Sequence, residues 1–417
     1  MQKLLIHGPS RLSGTIPVSG AKNAALPVLA ACLLADSEVE LHNVPAVQDI
    51  RTMLRLLEYL GVENERIGDV VLLRPTGRAN PDEAPYDLVK TMRASVLVLG
   101  PLVAKRGHAR VSLPGGCAIG VRPIDLHLSG LEALGAEVTI EHGYVEARAD
   151  RLQGCRHRFL KPTVGGTENL LMAASLAHGT TVLENCAREP EIVDLARLLN
   201  AMGAGIEGAG EDTIVIEGVD RLNGASHTVI PDRIQDGTYL IGAALTRGDV
   251  TVEGARPADL APLLEKLDEI GATVEVTENG IRVVNEGELK PRGVVTEPFP
   301  GFPTDLQAQY MALMTQAKGV STVSETVFEN RFQHVPELVR MGASIGIDGT
   351  FARIHGPTQL TGTSVMATDL RASACLVLAG LVARGETTVH RIYHLDRGYE
   401  KMESKLQLLG ARVERID

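Results

Sequence analysis

One pattern governs the chain. Six times an amphipathic stretch ends in an apolar residue, then glycine, then a strand-like run: at Gly61, Gly135, Gly203, Gly271, Gly342 and Gly410. The intervals are 74, 68, 68, 71 and 68 residues. Units of about 70 residues therefore fill the 417-residue chain. Glycine directly after a helix marks the point where the backbone turns left-handed. Spacing this even predicts a stacked or symmetric architecture, either one solenoid or two three-fold domains.

Each unit reads alike. An Ala/Leu-rich helix such as "LLMAASLAHG" precedes a short β-branched strand such as "TTVLEN" or "VTVEG". A second helix follows; in "QDIRTMLRLLEYLG", Ile50, Met53, Leu54 and Leu57 share one face. Two more strands close the unit, with hairpin signals at Asn279-Gly280 and Asp348-Gly349. The unit is β-α-β-α-β-β, in an order that is circularly ambiguous.

Composition narrows the class. A chain of this length that is 44% hydrophobic is too long for one ordinary domain. A net charge of −11 argues against a phosphate-backbone partner, so no nucleic acid is expected. The five cysteines (Cys32, Cys117, Cys155, Cys186, Cys375) are odd in number and irregularly spaced, which disfavours disulfides and structural zinc. The longest apolar stretch, Ala24 to Ala35, is too short to span a membrane and contains Pro27. The amino terminus lacks a signal-peptide run. A cytoplasmic protein without membrane insertion is expected; no oligomeric state is read.

The departures from the repeat are the candidates for chemistry. Lys22 and Asn23, in "SGAKNAALP", open an apolar helix, where a lysine is either solvated or part of an anion site. Arg93 in "MRAS" and Arg371 in "LRAS" open two further apolar helices. Asp305 in "FPTDLQAQ" is either a helix cap or a base facing arginines. Arg331 in "ENRF" and Arg397 in "HLDRGYE" add cations at repeat junctions. With Arg122, these cations suit a compact ligand bearing phosphate and carboxylate. Cys32, Cys186 and Cys375 read as core residues. Cys117 differs: "LPGGCAIGVRP" is loop composition, and a surface thiol beside Arg122 is placed for reactivity. No histidine spacing suits a metal.

These motifs together resemble the enolpyruvyl transferases over essentially the whole length. They resemble most the branch whose acceptor is UDP-N-acetylglucosamine, for which the cysteine loop is the most specific feature. The sister branch acting on 3-phosphoshikimate typically shows "GSKS" where this chain has "GAKN" and lacks such a loop. A non-catalytic repeat scaffold is the third reading. The resemblance implies an inside-out α/β barrel, EPSP synthase-like, with two domains of three β-α-β-α-β-β repeats each. One domain would take residues 21–229 and carry a lid loop at about 112–122. The other would take 1–20 plus 230–417, with the active site in the cleft between them.

The implied reaction joins phosphoenolpyruvate to the 3-hydroxyl of UDP-N-acetylglucosamine and releases phosphate, by addition and elimination. It is the first committed step of peptidoglycan biosynthesis, and it needs neither metal nor cofactor. By motif, Lys22, Arg122 and Arg397 would face the phosphate, and Arg331, Arg371 and Arg397 the carboxylate, with Asn23 beside phosphoenolpyruvate. Asp305 would take the sugar hydroxyl proton. Cys117 would protonate the methylene carbon and can hold a covalent phosphoenolpyruvate adduct. Asn23, Arg93, Arg122, Pro123, Ile124, Asp125, Leu126, Lys161, Pro162, Thr163, Val164, Asp305 and Val327 would contact the nucleotide sugar. Asp369 and Glu329 would support them. Two details depart from the family pattern: Gly166 stands where alanine is common, and Ser373 and Cys375 where small apolar residues are usual.

Overall fold

A computed structural model describes residues 2–77, 81–90, 92–113 and 124–417. Among the described residues the strands form six four-stranded sheets, and all six share one pairing scheme. In the sheet 226–228, 39–42, 70–75, 62–67, the strand Ser226–Thr228 runs parallel to Val39–His42. Val39–His42 is antiparallel to Val70–Pro75, which is antiparallel to Val62–Ile67. The parallel, antiparallel, antiparallel order recurs in the other five sheets.

The described residues divide into two compact units, one holding 2–19 with Pro231–Asp417, the other running from Gly20 to Ile230. Each contains three of the sheets. The circular ambiguity of the repeat has a structural meaning. The amino-terminal strand Lys3–Gly8 lies between Gly385–His390 and the carboxy-terminal Arg412–Ile416, so both chain ends complete one sheet. In the other unit Ser226–Thr228 returns to pair with Val39–His42 and closes that circle.

Two kinds of helix alternate. Lys22–Ala31, Val164–Ala174, Arg233–Leu245 and Leu370–Val382 are buried almost all round. They carry apolar or small residues on every face, as a helix surrounded by protein must. In the 231–417 unit, the buried helices Arg233–Leu245, Gln307–Met314 and Leu370–Val382 pack on one another. The outer helices are amphipathic: Gln48–Tyr59 buries Ile50, Met53, Leu54 and Leu57, the face expected from the sequence. Each unit has its own apolar core.

All six junction glycines have positive φ, between 87° and 111°. A side chain there would strain the turn that sends the chain from helix to strand. The two hairpins form, but each turn lies one residue from its expected place. Thr277 pairs with Gly280, so Glu278 and Asn279 make the turn; Asp348 pairs with Phe351, so Gly349 and Thr350 do. No helix among the described residues is long and apolar enough to cross a membrane.

Candidate active site

The buried helices begin where the candidate residues lie. In the 231–417 unit, Pro303 leads into a three-residue 3-10 turn, Thr304–Leu306, ahead of the helix Gln307–Met314. That turn presents Asp305. Its carboxylate does not cap the helix; it takes both neighbouring arginines. Arg331 Nη2 donates to Oδ1 at 2.6 Å. Arg371 donates to Oδ2 from Nη2 at 2.7 Å and from Nε at 3.1 Å. Burial alone would push the Asp305 carboxyl up, but Arg371 and Arg331 outweigh it and hold it well below the usual carboxylate range.

Neighbouring groups fix the arginines. Asp369 caps the helix Leu370–Val382, its Oδ1 accepting from the backbone N–H of Arg371 at 2.8 Å and of Ala372 at 3.0 Å. The Arg371 guanidinium lies 5.5 Å over the Tyr399 ring. Tyr399 is itself tied to Thr238 at 2.9 Å and Gln309 at 3.1 Å. Arg331 Nη1 donates to Thr304 Oγ1 at 2.9 Å, and Thr304 donates to Glu325 at 2.8 Å. Glu325 Oε1 also accepts from the backbone N–H of Val327 at 2.9 Å and Phe328 at 3.0 Å. His334 is buried beside this cluster. Burial and Arg331 lower its pKa to about 4 against the opposing pull of Asp369, so it is neutral at pH 7.

In the other unit, Lys22 and Asn23 are the first two residues of the helix Lys22–Ala31, and Lys22 Nζ lies 3.4 Å from Asp49 Oδ2. Thr163 caps the helix Val164–Ala174 through Gly166 N–H at 3.3 Å. A Cβ on residue 166 would sit 2.5 Å from Thr163 Cγ2, so the glycine accommodates the capping threonine. Lys161, Pro162 and Val164 are exposed just ahead of it. His127, in the helix Asp125–Ala133, is buried beside this turn; a Cβ on residue 165 would lie 3.3 Å from its Nε2.

Whole-chain comparisons with known proteins show the family and the fold. The sequence pattern described as EPSP synthase (3-phosphoshikimate 1-carboxyvinyltransferase) matches residues 6–406. The chain belongs to the EPSP synthase family of enolpyruvyl transferases. A UDP-N-acetylglucosamine 1-carboxyvinyltransferase of Koribacter versatilis is 58% identical, the match covering all of this chain and 97% of that protein. Another of the same name, from Psychrobacter sp., is 55% identical with the same coverage. Among solved structures, the enolpyruvyl transferase NikO from Streptomyces tendae superposes with a TM-score of 0.89 at 29% identity, over 99% of this chain and 98% of that one. EPSP synthase from Acinetobacter baumannii superposes at 0.76 and 20% identity over the whole of both chains, which shows the shared fold. The enolpyruvyl transferase fold that the resemblance implied is the fold of this chain.

In this enolpyruvyl transferase the sequence candidates fall into separate groups. Asp305, Arg331 and Arg371 are in direct contact, and Val327 is held by the same Glu325. Arg397 ends the 3-10 turn Leu395–Arg397. Arg93 opens a 3-10 segment, Arg93–Val98, rather than the α-helix expected there; the α-helix begins at Leu99. Ile124 is buried, Asp125 exposed and Leu126 between the two. Cys117, Arg122, Pro123 and nearly all of the expected lid lie outside the described residues. Glu329, expected to support the site, is exposed. The buried Glu325, four residues earlier, holds Thr304 and the 327–328 backbone. Sequence reading passed over Glu325, His334 and Tyr399. An acidic residue closing the strand "VSTVSE" was the one available signal for Glu325.

Proposed function

We propose that this transferase moves the enolpyruvyl group of phosphoenolpyruvate to the 3-hydroxyl of UDP-N-acetylglucosamine, the first committed step of peptidoglycan synthesis, in the cytoplasm. The observation that carries the reading is the whole-chain identity of 58% and 55% to two transferases named for that acceptor. The geometry supports it: two almost fully buried arginines converge on one carboxylate, as a site for a carboxylate-bearing donor requires.

The chemistry divides among the residues as follows. Lys22, Arg122 and Arg397 neutralise the donor phosphate, with Asn23 beside it. Arg331, Arg371 and Arg397 take its carboxylate. Asp305 accepts the proton of the sugar 3-hydroxyl as that oxygen attacks C2 of the donor. Cys117 delivers a proton to the methylene carbon, which completes addition and gives a tetrahedral ketal. Loss of a proton from that carbon expels phosphate and restores the enol ether. Cys117 is also the residue for a covalent adduct with the donor. Arg93, Arg122, Pro123, Ile124, Asp125, Leu126, Lys161, Pro162, Thr163, Val164 and Val327 hold the nucleotide sugar.

The test is phosphate release from phosphoenolpyruvate with each acceptor in turn. Release with UDP-N-acetylglucosamine and not with shikimate 3-phosphate supports the reading. The opposite result places the chain with the sister branch, and release with neither removes the assignment.

A further inference from the structure

Asp305 lies between solvent and the two arginines. The side chains of Arg331 and Arg371 are 4% and 5% exposed, whereas that of Asp305 is 26% exposed. Every guanidinium nitrogen of the pair is either engaged or closed off. Three donate to Asp305 and a fourth to Thr304. The remaining two, Arg331 Nε and Arg371 Nη1, are shut away from solvent. A carboxylate arriving from solution therefore meets Asp305 before it meets either arginine.

Two other acidic groups nearby are committed elsewhere. Asp369 caps its helix, and Glu325 holds Thr304 and two backbone N–H groups. His334 is buried and neutral. No described carboxylate other than Asp305 hydrogen-bonds the pair. Leaving two buried guanidinium groups unpaired is strongly unfavourable, so Asp305 leaves them readily only if another anion takes its place.

We infer that Asp305 is a displaceable internal carboxylate: the donor's carboxylate takes over the Arg331–Arg371 pair and thereby releases Asp305 toward the acceptor hydroxyl. The inference rests on the proposed assignment of phosphoenolpyruvate to these arginines. It makes the donor the switch for its own base. While clamped, Asp305 has both oxygens occupied by cationic donors and is a poor proton acceptor. Exchange of one carboxylate for another keeps the arginines paired and frees Asp305 when the electrophile is in place. The charge of Asp305 then tunes donor affinity as well as catalysis, because the resting enzyme is occupied by its own carboxylate.

Two unreactive ligands separate the carboxylate from the phosphate. Phospholactate keeps both groups but lacks the double bond; isopropyl phosphate lacks the carboxylate. Their affinities are measured by calorimetry for wild type and Asp305→Asn, with UDP-N-acetylglucosamine saturating. The substitution should tighten phospholactate about tenfold more than it tightens isopropyl phosphate. Equal gains would overturn the inference. A second measurement needs no variant to fold well. In wild type carrying carboxyl-labelled aspartate, saturating phospholactate should move the titration of the Asp305 carbon resonance upward, and isopropyl phosphate should not. An Asp305 resonance unmoved at full occupancy, judged by the ligand's phosphorus signal, would sink it. Phosphate release with the two natural substrates tests the proposed function independently of either result.

Discussion

Asn169 sets the proton on His127. Its Nδ2 donates to His127 Nδ1 at 3.0 Å and to Val96 O at 3.0 Å, while its Oδ1 accepts from Gly100 N–H at 2.6 Å. The backbone contacts fix which way the amide faces. Nδ1 must then be the acceptor, so the proton of the neutral ring is on Nε2, at the first turn of Val164–Ala174.

Burial, reinforced by Arg93 against the opposing pull of Asp125, lowers the His127 pKa to about 4, and His334 is lowered to about 4 as well. Both start from 6.5. Between those values the unfolded chain binds protons that the folded chain refuses. Stability should therefore fall as pH drops from about 6.5 to about 4, and this contribution should level off below that. His127→Gln keeps an acceptor for Asn169 and cannot titrate. Urea unfolding at a series of pH values should show a shallower decline in the variant than in wild type. Identical slopes would mean that His127 is not held neutral.

Asp369→Ala tests what positions Arg371. The substitution removes two hydrogen bonds to the start of Leu370–Val382 and should cost about 1 kcal/mol in stability. Asp369→Asn, which can still cap, should cost less. If the cap also orients Arg371, alanine should raise KM for the donor while asparagine restores most of it. Loss of stability with an unchanged KM would leave Asp369 as a cap alone.

What could be seen in the sequence was local or periodic. Each junction glycine sits beside the helix it ends, so spacing alone gave the six units and the left-handed turns. The identity of the residues at the starts of the buried helices was equally visible, because an arginine or lysine opening an all-apolar stretch stands out. The Arg331–Asp305–Arg371 contact was not. Its members lie 26 and 66 positions from Asp305, and nothing in a local pattern tells whether Asp305 turns to its helix or to them. Hydrogen bonding decided that point: no side chain caps the 3-10 turn after Pro303 or the helix that follows, and the Asp305 carboxylate is taken by the two arginines. Glu325 was hidden for the same reason: on a strand end an acid reads as solvated until the neighbouring backbone is seen to close over it.

Gly166 offers a test of local packing. An added Cβ would lie 2.5 Å from Thr163 Cγ2 but 3.2 Å from Thr163 Oγ1. Gly166→Ala alone should cost about 1–3 kcal/mol through overpacking. Thr163→Ser removes the obstructing methyl and keeps the capping oxygen. In that background the alanine should become neutral or gain up to about 1 kcal/mol from better helix propensity. Thermal denaturation of the four proteins in the cycle measures the coupling. An equal cost for alanine in both backgrounds would show that the methyl is not the obstacle.

Cys117 lies outside the described residues, but the other four cysteines limit which thiol can react. Burial pushes the Cys32 and Cys375 thiols far up and Cys186 up to about 12; partial burial also raises Cys155. All four are therefore protonated and poor nucleophiles near neutral pH. An electrophile that mimics phosphoenolpyruvate, such as the epoxide fosfomycin, should label Cys117 and spare the rest. An ordinary thiol with a pKa of about 8.5 keeps its proton near pH 7, which suits a general acid. A carboxylic acid can serve in that role but resists epoxide alkylation under the same conditions. Cys117→Asp should remain active with its pH optimum moved toward acid, because only the protonated carboxyl can donate, and it should be insensitive to the epoxide. Cys117→Ser should lose most turnover, since a serine hydroxyl is far too weak an acid. Mass spectrometry of the treated wild type and pH–rate profiles of both variants check each step. An adduct on one of the four buried or half-buried cysteines, or full activity in the serine variant, would take the proton-donor role away from Cys117.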